Sequence, residues 1–221
     1  MYDSTKLKPE DEPRNFGELL DPKWKGKLVL TIPNDDDAIG YLFSLIVKRY
    51  GWSWLERLAK EQDVQWVRGT ATPAYIIAEQ VDSSKAGGKS RPAEFVSNNG
   101  QRVLSFITAG YPMQSDALAW SDPDPPEQYM SWTQTLCIMK STPRPETCKL
   151  FMAWITSVEF QTMLSQGGSA PTILKSVNKK NGVSSLDDSQ TTQLNGFRVY
   201  DRKYCPKYGR LSNFMLTCIQ L

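Results

Sequence analysis

LVLTIPNDDDAIGYLFSLIVKRYGWSWLERLAKEQDVQWVRGTATPA, residues 28–74, holds two strand–turn–helix passages in succession. Leu28 to Ile32 is a short apolar run that reads as a strand, and Pro33 ends it. Ile39, Leu42, Phe43, Ile46, Val47 and Tyr50 then recur at helical spacing. Asn34 or Asp35 is the expected N-cap, and the carboxylates that follow suit the positive end of a helix. Gly51 breaks the run, and Trp54, Leu55 and Leu58 predict a second short helix. Val64 to Arg68 reads as a second strand and Gly69-Thr70-Ala71 as a tight turn. Thr72 is then expected to cap a helix with Pro73 at its first position. Strands alternating with helices predict an α/β fold with a parallel or mixed sheet.

Outward from this stretch the signals thin. Residues 1–16 are polar, contain Pro9 and Pro13, and read as an extended leader; DPKWKGK (21–27) is turn-forming. DSSKAGGKSRP (82–92) predicts a surface loop, and Arg102 to Thr108 and Ala117 to Trp120 predict strands. DPDPP (122–126) excludes regular structure, and Thr135 to Met139 is expected to return as an apolar strand. Thr142-Pro143 should open a helix running through Trp154, and Ser157 another that Gly167-Gly168 ends. Past residue 170 the periodicity is lost, which predicts an irregular tail over 171–221. The expected organisation is a leader (1–23), an α/β ligand-binding lobe (24–140), a helical segment (141–170) and that tail.

Composition narrows the function. The 221 residues carry 26 Lys+Arg against 24 Asp+Glu, a formal net charge of +2. Such a balance gives no electrostatic reason to expect nucleic acid or a membrane surface as partner. The longest apolar stretches are interrupted by Lys48 and Arg49, or by Ser157 and Glu159, so membrane insertion is not expected. The chain has no histidine. That removes Ser-His-Asp and Cys-His catalysis and Cys/His zinc motifs. Cys137, Cys148, Cys205 and Cys218 lack CxxC spacing; buried free thiols are the plain reading of the first two, and the last two are free to pair in an oxidising compartment. MYDSTKLKPEDEPRNF has no apolar segment or cleavage site of a signal peptide.

Ligands of open α/β sheets bind outside the carboxyl ends of strands. Two such places are legible. At Arg68-Gly69-Thr70-Ala71-Thr72, a forked guanidinium donor, a glycine that admits close approach and a helix start suit an anion. The alternative is a capped helix beside a surface arginine. At Asn34-Asp35-Asp36-Asp37, oxygen ligands suit a hard cation, but the EF-hand spacing is missing and helix capping is the simpler account. Tyr129 and Trp132, after the proline-rich loop, either line a cleft or close the edge of a core. The basic run Arg198, Arg202, Lys203, Lys207, Arg210 reads as a solvated face.

Three segments, FGELLDPKWKGKLVLTIPNDDD (16–37), YGWSWLERLAKEQDVQWVRGTATPA (50–74) and PPEQYMSWTQTLCIMKSTPRPETCKLFMAWITSVEFQ (125–161), resemble the type II periplasmic solute-binding protein family. The nearest group in kind is the ferric-iron-type ABC-transporter substrate-binding proteins and their fungal relatives. The resemblance implies a two-lobe Venus-flytrap that closes on a small ligand without catalysis or cofactor, in a periplasmic or secreted setting. It makes Tyr2 to Leu7 look like an interlobe hinge strand, so most of the first lobe is expected to be missing and the exposed half-cleft to favour self-association. Ferric-binding members use an adjacent tyrosine pair, whereas Tyr111 stands alone here. The expected ligand is thus a small anion or a metal complex, held by Asn34, Asp35, Arg68, Gly69, Thr70, Ala71, Thr72, Tyr129 and Trp132. The alternatives are a degenerate interaction or effector domain, and, less favoured, an enzyme of the thiamine-pyrimidine-synthase type, whose chemistry depends on histidine.

Overall fold

A computed structural model describes residues 1–83, 101–106, 118–131, 136–165, 172–182 and 191–193. The chain divides into two compact units, one of residues 1–108, 113–130 and 194–221, the other of 109–112 and 131–193.

The first unit is built on a sheet. Its strands are β1 (Tyr2–Asp3), β2 (Val29–Thr31), β3 (Gln65–Val67) and β4 (Leu118–Ala119). β2 pairs in parallel with β3, Leu30 opposite Trp66, and β1 pairs antiparallel with β4, Tyr2 opposite Ala119. Residues 103–105 join the two pairs. Leu104 bridges Leu28 in parallel and Tyr2 antiparallel. The Asp3 N–H donates to the Val103 carbonyl at 2.9 Å, and the Val103 N–H to that of Lys27 at 2.8 Å. The order across the sheet is therefore β3, β2, 103–105, β1, β4, with β1 alone running against the rest.

Three helices cover it: α1 (Asp37–Tyr50), α2 (Trp52–Glu61) and α3 (Thr72–Ser83). Side chains alternate across a strand, so β2 feeds two cores. Leu28 and Leu30 face Ile39, Phe43, Ile46 and Val47 of α1 and Trp54, Leu55 and Leu58 of α2. Val29 faces the other way, against Ala74, Ile76 and Ile77 of α3 and Met1. The leader belongs to the larger core. Phe16, Leu19 and Trp24 are buried there, and Trp54 Nε1 donates to the Phe16 carbonyl at 2.8 Å. Just before residues 103–105, the buried Arg102 guanidinium donates to the Asp63 carbonyl. Glu127, also buried, accepts from the Tyr50 hydroxyl and pairs with Arg49 Nε at 3.2 Å, which holds the proline-rich segment on the end of α1.

β5 (Tyr129–Ser131) follows, and the second unit holds α4 (Pro145–Ile155), α5 (Val158–Ser165), α6 (Lys175–Asn181) and β6 (Thr191–Gln193). Ser157 Oγ caps α5 by accepting from the Phe160 N–H at 3.2 Å. No residue of α4 is buried. Among the described residues of the second unit, those buried are Val177 and four polar ones, Gln161, Ser165, Thr172 and Asn178. They are tied by hydrogen bonds: Asn178 Oδ1 accepts from the Thr172 N–H at 2.7 Å, and Gln161 Nε2 donates to the Ile155 carbonyl at 2.8 Å.

The central expectations hold with boundaries shifted by a few residues, and three differ. The N-cap of α1 is Asp36, whose Oδ1 accepts from the Ala38 and Ile39 N–H groups, so neither Asn34 nor Asp35 takes that place. Of the strand expected over Thr135 to Met139, residues 136–139 are irregular and exposed, and Cys137 is exposed with them rather than buried; Cys148 is half-buried. In the tail, α6 and β6 are regular. The 82–92 loop begins inside α3, which runs to Ser83; residues 84–92, the end of the 102–108 strand, Tyr111, Cys205, Cys218 and the basic run 198–210 lie outside the described residues.

Candidate functional site

β2 and β3 are adjacent and parallel, so their carboxyl ends open on the same edge of the sheet. There the chain makes two turns, residues 32–36 and 68–72. The Ile32 N–H donates to the Val67 carbonyl at 2.9 Å, extending the ladder one step past β2, and the Asp35 N–H returns to the Ile32 carbonyl at 3.0 Å. β2 also has 103–105 on its other side, so the strand order reverses beside it. That is where a crevice is expected in an open α/β sheet.

The two turns are joined by one carboxylate. Asp35 Oδ1 accepts from Arg68 Nε at 2.7 Å, and Asp35 Oδ2 accepts from the Gly69 N–H at 2.6 Å. Thr31 Oγ1 donates to the Gly69 carbonyl at 3.0 Å, which fixes the peptide on its far side. Gly69 has φ +85°, a conformation that favours glycine, and a Cβ there would meet Thr72 Oγ1 at 2.7 Å, so that hydroxyl would have to move. The Arg68 hydrogen bond, with help from the Gly69 N–H and against partial burial, holds the Asp35 carboxyl below the usual carboxylate range. Arg68 itself is 83% exposed and Asp35 16%.

The structure therefore brings Asp35, Arg68, Gly69 and Thr72 together. Thr70 and Ala71 complete the same turn, with the Tyr75 N–H returning to the Ala71 carbonyl at 3.2 Å, and Asn34 lies exposed on the facing turn. Tyr129 is half-buried in β5, and Trp132 lies outside the described residues. Asp36 serves α1 as its cap. Among the described residues no cluster of three or more Asp, Glu or Cys could hold a metal ion. No described helix is long and apolar enough to cross a membrane. Thr31 carried no signal in the sequence beyond its place at the end of a strand; its role depends on the parallel register that sets it opposite Val67.

A family model described as bacterial extracellular solute-binding protein matches residues 1–195, and the chain belongs to that family. Membership points to a ligand-binding and generally non-enzymatic role. No curated protein matches the chain.

Proposed function

We propose that this member of the extracellular solute-binding family holds a small anion or a metal chelate at the carboxyl edge of its sheet, in the manner of a type II, ferric-iron-type substrate-binding lobe. The observation that carries the reading is the junction of the two turns. The Arg68 guanidinium and the Gly69 N–H, both in the turn after β3, converge on the carboxylate of Asp35 in the turn after the neighbouring parallel strand β2. Charge-assisted donors of this kind are the usual recognition chemistry for oxyanions. The antiparallel β1 supports the hinge-strand reading, since a strand entering against an otherwise parallel sheet arrives from the ligand edge. Asn34, Thr70, Ala71 and Thr72 border the seat.

Calorimetric titration with phosphate, sulfate, citrate and ferric citrate tests it. Arg68→Ala should lose binding while keeping the fold, because a charge-assisted hydrogen bond is worth about 1.5–3 kcal/mol, or about ten- to a hundredfold in affinity. Arg68→Lys keeps the charge without the fork and should fall between. Equal affinities in all three proteins would make Arg68 a surface residue beside a capped helix.

A second reading, an interaction domain without small ligand, draws on the apolar surface of α4 and α5. Leu150, Phe151, Trp154, Val158, Met163 and Leu164 are all exposed, and exposed apolar surface favours association. Light scattering at increasing concentration separates the two: concentration-dependent association with no heat from any ligand would favour the second.

A further inference from the structure

Asp35 differs from a helix cap or a surface carboxylate in what it occupies. Both of its oxygens are used, and the donors they use are the two on which ligand recognition at this edge depends. The spacing of those donors is matched by the two oxygens of a planar carboxylate. Capping of α1 is done by Asp36, so Asp35 is not needed for the helix. Its backbone is already held through the Ile32 carbonyl, which leaves side-chain rotation as the motion that vacates the seat. The partner guanidinium is largely in solvent, where water screens the pair and one carboxylate can exchange for another.

We propose that Asp35 is a resident stand-in for the ligand: its carboxylate fills the seat made by Arg68 Nε and the Gly69 N–H, and a carboxylate-bearing solute binds by displacing it. This rests on the anion-binding reading above and names both the ligand's chemical group and the brake on its binding. Displacement makes the empty seat self-neutralised, so stray anions are rejected unless they can repeat both hydrogen bonds. A carboxylate repeats them in kind; sulfate carries its oxygens tetrahedrally and repeats them less well.

Citrate and sulfate titrated into wild type, Asp35→Asn, Asp35→Ala and Arg68→Ala provide the test, with thermal unfolding run on each to show that it folds. Removing the competing carboxylate should tighten citrate binding about three- to fivefold in Asp35→Ala. Asp35→Asn, which still offers an acceptor to Gly69, should gain less, and sulfate should gain less than citrate in both. Arg68→Ala should lose citrate. Citrate binding that is unchanged or weaker in both Asp35 variants, yet lost in Arg68→Ala, overturns displacement and leaves the anion site standing. Citrate binding that survives Arg68→Ala, or no heat in any variant, overturns both. In the wild type, saturating citrate should move the Asp35 carboxyl carbon, the Arg68 Nε–H and the Gly69 amide resonances together. An Asp35 carboxyl resonance that stays in place while citrate binds overturns the proposal even if the Asp35 variants fail to fold.

Discussion

Phe43 and Trp154 are both large aromatic residues on helices, and their surroundings differ in kind. Phe43 is fully buried, with Trp54, Trp66 and Phe106 at centroid distances of 6.3, 6.2 and 5.4 Å. Those neighbours come from α2, β3 and the 103–106 segment, remote from one another in sequence. Trp154 is half exposed, and its ring partners Phe151 and Phe160, at 5.7 and 4.4 Å, are close to it along the chain. The first unit is held by apolar side chains that long-range pairing brings together. The second keeps Gln161, Ser165, Thr172 and Asn178 inside and carries much of its apolar surface outside. A polar interior of this kind fixes geometry through hydrogen bonds, whose net worth is about 1 kcal/mol each, while apolar burial in the first unit supplies cohesion.

The contrast breaks most visibly at the aromatic residues. Phe43→Ala should cost about 3–5 kcal/mol in urea unfolding, through lost burial and the cavity left behind. Trp154→Ala should stay within about 0.5 kcal/mol, as substitutions at exposed positions do. Similar costs at the two sites would end the distinction.

A pH effect confined to the first unit comes next. In a chain whose amino group is that of Met1, the group donates to the Ser105 carbonyl at 2.9 Å in the core. Burial lowers its pKa from 8.0 to about 6, against the pull of Glu12 and Asp122. The unfolded chain then binds more protons between those values, so stability rises with pH from 6 to 8 and is lost as pH falls again. Two pKa units correspond to about 2–3 kcal/mol. Protection factors of amides in 27–31 and 103–105, taken relative to the intrinsic exchange rate at each pH, should rise accordingly; protection factors that stay flat over that range contradict a buried amine.

The polar interior is sharpened by the smaller change Asn178→Ala. It strands the Thr172 N–H and carbonyl, which Asn178 satisfies at 2.7 and 2.9 Å, and should cost about 1–3 kcal/mol. Exchange should rise across 172–182 and leave α1 and α2 unchanged. Acceleration in both units together would show that they do not behave as separate cores.

The two regions were also unequally legible. β2, α1, α2 and β3 follow from periodicity because each is specified by its own residues. The polar seat was half legible: Arg68-Gly69-Thr72 carried its donors, but Asp35 as their acceptor depends on a contact 33 residues away along the chain. Three short carboxylates in a row are equally good caps, and only that contact separates Asp36 from Asp35. β1 has two residues and no pattern; residues 103 and 119 make it a strand. Leu136 to Met139 show the opposite error, since an apolar run with no partner among the described residues reads as a strand and is not one.

The single antiparallel strand sets an order of events. β2, α1, α2 and β3 span residues 29–67 and can pair as soon as they exist, whereas β1 must wait for 103–105 and for β4 at 118–119. At about 5–20 residues per second of synthesis, β1 is held without β4 for roughly 6–24 s. Loop-closure entropy then makes their docking the slow step. β1 thus leaves the ribosome before the strands it pairs with, and chaperone contact or misassembly during that interval should concentrate on the segment from Met1 to Leu7.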